Sequence, residues 1–332
     1  MSLLDISFSD LYVAADLASS FYKTTPDSRI RVPIPDQHVN EFAALRHALT
    51  TKCSPGNAEF RLLWGAPPNQ VLFRVKPTQT AYINPLFVCR RAAPKPGTML
   101  ELGFPPEVVR RLMERTLKQG LVLFLGRMGS GKTTSAAAFI MDYLKKNGGT
   151  CFTCESPIEI DMEGPCGKDG YIFQHEVPTE EDIGHALLGM LRTGADMFFP
   201  GETRFDNTAQ TIIEMATTGH VVVTTAHGDD LPSGLARLAR KNGSQSDALA
   251  DALSAVFHLD LKYYDQKLAN ATQKPGLPGM ASPPPRLLKV APLFVTESNK
   301  VSVGSIIRGG NFQQLNSEIE RQRHQFLAGD LP

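Results

Sequence analysis

LVLFLGRMGSGKTT, residues Leu121 to Thr134, sets five apolar residues before Gly126, Gly131, Lys132 and Thr133 in the spacing G-x-x-x-x-G-K-[ST], the pattern of a phosphate-binding loop. Only glycine lets backbone N–H groups turn inward close to a phosphate chain, and the helix that follows adds its positive N-terminal end. Lys132 would reach the β- and γ-phosphates, and Thr133 would place a hydroxyl on Mg²⁺. The candidate nucleotide-binding residues are therefore Gly126, Met128, Gly129, Ser130, Gly131, Lys132, Thr133 and Thr134.

The flanks supply the context such a loop needs. Leu121 to Leu125 has the unbroken apolar run of a strand buried on both faces. Behind the loop, Ala136, Phe139, Ile140, Tyr143 and Leu144 fall on one face of a helix. From there to about Lys262 strand-like and helix-like patterns alternate, which predicts an α/β fold with a parallel sheet and crossover helices.

At 332 residues and 42% hydrophobic content the chain can build two domains with full cores. Its 34 basic and 34 acidic residues cancel, so bulk charge gives no pull toward nucleic acid or anionic lipid. No apolar run approaches a membrane span, and Met1 to Phe8 lacks the basic start and long apolar stretch of a signal peptide. The expected location is the cytoplasm. Five cysteines without disulfide-framework spacing suit a reducing compartment. Cys151 and Cys154 form a C-x-x-C within a predicted strand, where residues i and i+3 face opposite sides, so buried thiols are expected in preference to a zinc site.

Ahead of the loop, Phe8 to Val13 predicts a short strand after a helix. Asp36 to Leu49 reads as a helix with Val39, Phe42, Ala43 and Leu45 on one side. Phe60 to Trp64 and Val71 to Val75 read as strands joined by a turn at Gly65 to Asn69, and Leu86 to Cys89 as a further strand. Together they make a small α+β domain. The prolines and glycine of Ala92 to Gly97 mark a linker, which divides the chain into residues 1–97 and 98–332. Phe104-Pro-Pro106 then opens a helix to about Lys118. Near the end, Asn270 to Arg286 is too rich in proline and glycine for regular structure and predicts an exposed loop between strands at Leu259 to Tyr263 and Leu287 to Pro292. Phe312, Leu315, Ile319 and Phe326 give the last helix a core-facing stripe.

Three further segments carry candidate chemistry. Thr150 to Thr153 reads as a strand that runs into Glu155-Ser-Pro-Ile-Glu159; if it stays extended, Glu155 and Glu159 share a face and both point at the nucleotide. A carboxylate there can orient and deprotonate water. Asp196-Met-Phe-Phe-Pro-Gly-Glu202, after a helix from Glu180 to about Arg192, is a strand ending in an acid, where a ligand to a magnesium-bound water belongs. Arg204 could pair with that acid or sense phosphate. Thr218 to His227 gives a strand bracketed by histidines: His227 sits at the ligand-binding end, and His220 at the other end reads as structural.

In this order the four boxes resemble the secretion ATPase superfamily of GspE-type assembly, PilT-type retraction and conjugation or type IV secretion ATPases. The phosphate loop, CESPIE, FFPGETR and TTGHVVVTTAH stand for its phosphate, acidic, Walker B and histidine boxes. The likeness looks closest to the PilT-type branch and its Dot/Icm-like and plasmid-transfer relatives, through Ser9 to Val13, Leu72 to Val75, the passage from Arg90 to Pro105, and Ile306 to Leu315. The sequence departs from the family at Ser156, where a second acid is usual, at Pro200, and in Val303 to Arg308, which lacks the usual alanine and asparagine.

The resemblance implies a PAS-like N-terminal domain and a RecA-like P-loop motor domain. It implies a homohexamer binding ATP and Mg²⁺, with Thr133 and Glu202 at the metal. Glu159 takes the catalytic glutamate position and Glu202 the Walker B position; Glu155 and His227 join them, and Arg74, Arg90 and Arg91 bring positive charge to the phosphates. The implied partners are inner-membrane platform or secretion-complex proteins at the inner face of the cytoplasmic membrane. A docking scaffold without turnover and a DNA-translocating ring are the alternatives, and the balanced charge counts against nucleic acid as direct substrate.

Overall fold

By its internal contacts the chain divides into two units, Met1–Pro94 with Pro157–Asp161, and Lys95–Ser156 with Met162–Pro332. The structure, a computed structural model, describes all residues except 1, 7, 25–27, 54–58, 67–69, 94, 115–116, 244–245, 264–285 and 329–332. The turn predicted at Gly65 to Asn69 and the linker at Ala92 to Gly97 fall partly outside the described residues. The loop predicted at Asn270 to Arg286 falls almost wholly outside them.

The first unit is one antiparallel sheet of β1 (Asp10–Val13), β2 (Phe21–Lys23), β3 (Val32–Pro33), β4 (Phe60–Trp64), β5 (Val71–Thr78) and β6 (Leu86–Arg91), in the order β3-β2-β1-β6-β5-β4. Helix α1 (Val39–Lys52) packs Phe42, Leu45 and Leu49 into a core with Leu11, Phe73, Phe87 and Cys89. The sequence expectation for α1 needs correction. Val39 is half exposed and Ala43 exposed, because the buried stripe runs through positions 42, 45 and 49, one helical face. Strands β2 and β3 were not expected from the sequence; each is short and offers no full alternation to read.

The second unit contains α2 (Met99–Leu102), α3 (Pro106–Glu114), β7 (Gly120–Gly126), α4 (Lys132–Asn147), β8 (Gly149–Glu155), β9 (Gly164–Cys166), β10 (Gly170–Glu176), α5 (Ile183–Met190), β11 (Met197–Phe199), α6 (Asp206–Thr217), β12 (Val221–His227), α7 (Leu231–Lys241), α8 (Ser246–Ala252), β13 (Leu253–Tyr263), β14 (Arg286–Phe294), α9 (Lys300–Arg308) and α10 (Leu315–Ala328). Its sheet runs β14-β13-β7-β12-β11-β8-β10-β9, parallel from β13 to β10 with an antiparallel strand at each edge. Every residue of β7 is buried. Leu121, Leu123 and Leu125 join the cluster formed with α6, α7 and α8, while Phe124 faces the other way and packs on Phe139 of α4 and on Phe257. Full burial of a leucine contributes ~1.5–3 kcal/mol relative to exposure, so the continuous apolar run fixes this strand at the sheet centre.

The hairpin β9–β10 is an addition to the sequence reading. Its signal is the alternation Ile172, Gln174, Glu176 against Tyr171, Phe173, His175, whose first set faces inward at 172 and 174. The last helix carries the expected stripe: Leu315 and Ile319 are buried and the Phe326 ring packs, tilted, against Phe294. Gln322 on the same stripe is fully buried and bonds both backbone groups of Phe294, at 2.8 and 2.9 Å. Among the described residues no helix is long and apolar enough to cross a membrane.

Candidate functional site

The loop between β7 and α4 turns on three glycines with positive φ, Gly126 at 155°, Gly129 at 75° and Gly131 at 85°. At Gly126 space also excludes a side chain: a Cβ would stand 2.5 Å from the Leu259 carbonyl oxygen and would collide with the Ser130 hydroxyl. At Gly129 and Gly131 a Cβ would meet nothing within 4 Å, so there the backbone angle alone selects glycine. The open space beside both is where a ligand would approach.

Lys132 begins α4 and is buried, its ammonium donating to the Arg127 carbonyl at 3.1 Å. Ser130 Oγ is buried with no hydrogen-bond partner among the described residues. Thr133 and Thr134 follow in the first turn, partly exposed. Met128 projects into solvent, 84% exposed, and Arg127 pairs on the surface with Asp229 at 2.7 Å.

The remaining boxes reach the same edge because β7, β12, β11 and β8 are neighbours and parallel, so their carboxyl ends line up on the side where such sheets bind ligands. His227 closes β12 in register with Gly126. Beyond β11, Gly201 takes φ 67° and Glu202 pairs with Thr225 of β12. The backbone bonds Thr203 N–Thr225 O, 2.8 Å, and Thr225 N–Gly201 O, 3.0 Å, hold this segment. Arg204 donates to Glu202 Oε2 through Nε at 2.9 Å and Nη2 at 2.7 Å, and to Glu180 through Nη1 at 2.7 Å. The structure thus selects pairing for Arg204. His227 Nε2 lies 3.0 Å from Glu202 Oε1, but the approach lacks hydrogen-bond geometry, and that oxygen is buried without a hydrogen bond.

Glu155 ends β8 and is buried; its Oε1 accepts from Gln174 Nε2 at 3.2 Å, and its Cγ lies under Gly201. The condition for Glu155 and Glu159 to share a face is not met. The strand stops at Glu155, the chain bends at Ser156, and Glu159 is exposed in the first unit, where its carbonyl accepts from Ala93 N at 3.1 Å. Arg74 and Arg90 of that unit are cross-strand neighbours, Arg74 paired with Glu59 at 3.7 Å and Arg90 with Asp10 at 2.7 Å. Arg91 lies over the Phe8 ring, 4.4 Å from its centroid, and donates to the Leu4 carbonyl; burial lowers its pKa.

His220 immediately precedes β12 and meets the Phe198 ring edge-on, away from the loop end. Cys151 and Cys154 are buried; burial, with the Glu155 charge second, raises both thiols, Cys154 to about 12, so neither is a thiolate at neutral pH. For a magnesium ion the donors that fit are the Thr133 hydroxyl and Glu202 Oε1, an oxygen pair suited to a hard cation that keeps several waters. That Glu202 Oε1 is buried and accepts no hydrogen bond is the observation that favours this fit. Sequence reasoning passed over Gln174, Arg237 and Lys241, which acquire neighbours at this edge only through tertiary packing.

Sheet order and loop geometry define a RecA-like P-loop protein. The chain matches the family described as Type II/IV secretion system protein over residues 51–274, more than half its length, and belongs to that family. It is 34% identical over 142 residues to the putative type II secretion system protein E of Escherichia coli, covering 42% of this chain and 27% of that protein. It is 32% identical over 160 residues to the type IV pilus ATPase PilU of Pseudomonas aeruginosa, covering 46% and 38%. The chain thus spans well under half the length of these curated relatives. Its fold is similar to that of the pilus retraction motor PilT with bound ADP (TM-score 0.68, 22% identity, 97% of this chain and 90% of that one) and of the Legionella pneumophila ATPase DotB (TM-score 0.65, 16% identity, 99% and 90%).

Proposed function

We propose that the chain binds ATP at the β7–α4 loop and hydrolyses it, working as a homohexameric motor for a type IV pilus or a conjugative or type IVB secretion machine. In this reading it docks on inner-membrane platform or secretion-complex proteins at the inner face of the cytoplasmic membrane, residues 1–97 form a PAS-like domain, and 98–332 form the motor. The observation that carries the reading is the single carboxyl edge of four neighbouring strands, where His227 and Glu155 end two of them and Lys132 and Glu202 lie on the segments that follow the other two.

Lys132 exchanges the Arg127 carbonyl for phosphate oxygens, a charge-assisted bond of the stronger kind. Thr133 and Glu202 would hold the metal, which would supply charge neutralisation at the phosphates. Glu202 is oriented by Arg204, and His227 beside it reaches toward the loop. Glu159 accepts the proton of the attacking water at its carboxylate, and Arg74, Arg90 and Arg91 stabilise charge on the phosphates. Replacement Lys132→Ala is expected to abolish steady-state ATP turnover while circular dichroism and the unfolding midpoint stay near wild type. Undiminished turnover in that variant would overturn the reading.

A further inference from the structure

Beside Glu202, and wholly within the second unit, lies a cavity of about 230 Å³ lined by Thr203, Arg204, Ala226, His227, Gly234, Arg237, Leu238 and Lys241. Helix α7 turns one face to it, with Gly234, Arg237, Leu238 and Lys241 at positions i, i+3, i+4 and i+7, which share a helical face. Three permanent cations and a histidine line this space, and no carboxylate does. The carboxylates that hold the cations stand outside the lining: Glu180 and Glu202 on Arg204, and Asp206 on Lys241 at 3.5 Å. Lys241 also donates to the Arg204 carbonyl. Among the described residues no ion pair is formed by Arg237, an exposed residue of the lining.

Arg204 and Lys241 already have carboxylate partners, so Arg237 brings the positive charge here that has none among the described residues, and the planar fork of arginine matches phosphate oxygens in particular. The volume lies below the ~300–1,000 Å³ of pockets that enclose drug-sized ligands, so the cavity is too small for a second nucleotide and suits a small oxyanion with its waters. Its wall is shared with the candidate site. His227 belongs to the lining and lies 3.0 Å from Glu202, and in the sheet it is in register with Gly126, the first glycine of the phosphate loop. One strand spacing, about 4.8 Å, separates the two backbones there.

We infer that this cavity is a second anion site, which receives orthophosphate after its release from the phosphate loop, with Arg237 as its principal ligand and Arg204, Lys241 and His227 around it. The inference rests on the hydrolysis reading for the origin of the phosphate, but not for the existence of the site. The test is a titration of the full chain with inorganic phosphate, without nucleotide, followed by ³¹P line broadening in a Lys132→Ala background that weakens the phosphate loop as a competitor. Saturable binding should persist, weaken about tenfold or more on adding Arg237→Ala, as loss of one charge-assisted bond implies, and recover in part with Arg237→Lys. The companion measurement is inhibition of wild-type turnover by phosphate, whose inhibition constant should rise by a similar factor in Arg237→Ala. Absence of saturable binding in the Lys132→Ala protein, or binding and inhibition indifferent to Arg237, overturns the site. Arginine-dependent binding in a chain that never turns over ATP upholds the site and removes the hydrolysis reading alone. Because Arg237 is exposed, folding of its variants is checked by unfolding midpoint, and Arg237→Gln serves as the second substitution if Ala lowers it.

Discussion

Arg204 holds Glu202 by two bonds to one oxygen, at 2.9 and 2.7 Å, and a double-mutant cycle between them measures that grip. The arginine side chain is 46% exposed and the glutamate 19%, between the surface regime of ~0.2–1 kcal/mol for an ion pair and the ~3–5 kcal/mol lost on breaking a fully buried one. Glu202→Gln keeps the shape and removes the charge. Hydrogen bonds to charged groups contribute about 1.5–3 kcal/mol against about 0.5–1.5 kcal/mol for neutral ones, so a coupling of about 1–2 kcal/mol is expected with Arg204→Ala. The single Arg204→Ala should cost more than this coupling, because it also releases Glu180. The assay is urea unfolding of the four proteins at neutral pH, compared where their m-values agree, with a repeat in 1 M salt, where the exposed side of the pair is screened. A coupling inside the ~0.3–0.5 kcal/mol error of additivity would refute the argument that Arg204 orients the acid.

Two other outcomes are expected. Glu159→Gln should leave ATP binding intact and lower turnover about a hundredfold or more, the range for loss of a general base, whereas Glu155→Gln should lower turnover less; single-turnover assays with nucleotide-binding controls decide, and the reverse order would exchange the two roles. Glu318 is raised by burial but lowered more by hydrogen bonds from Arg321, Asn299 and Gln322, which bring it to about 2 from an ordinary 4.5. Its folded pKa is thus below its unfolded one, so its contribution is full above 4.5 and is lost as pH falls from there toward 2. Glu318→Gln should remove about 1–2 kcal/mol at neutral pH, after discount for exposure, and flatten the stability profile in that window; an unchanged acid limb in pH-dependent urea unfolding would contradict this.

The parallel core was legible because β7 and β12 are runs of apolar residues punctuated by glycine, and such runs fit only strands covered on both faces. The order of the boxes was legible too, though not their adjacency: β12 inserts between β7 and β11, a choice made by crossover packing. Short β2 and β3 gave too few residues for a period to emerge, and β9–β10 was hidden by aromatic residues on its outer face. At the site, the loop glycines declare themselves by spacing. Glu155 and Glu159 do not, since the bend at Ser156 separates their environments and no periodicity announces it. Arg237 lies on an ordinary amphipathic helix until tertiary structure brings Arg204 and His227 to the same cavity.

The excursion of Pro157–Asp161 into the first unit bears on how this protein can be cut apart. Three peptide junctions, at 94/95, 156/157 and 161/162, separate the units. A fragment ending at residue 97 would lack the segment that pairs with Ala93, whose N–H bonds the Glu159 carbonyl at 3.1 Å and whose carbonyl accepts from Asp161 N at 3.3 Å. The complementary fragment would carry Ile158 and Ile160, both buried in the whole chain, on a stretch deprived of its own unit. Each half would expose what the other had covered: an unpaired strand end in one, an apolar loop in the other, both recognised routes to aggregation. Dissection by circular permutation, with new termini elsewhere and all three junctions intact, is the design this connectivity permits.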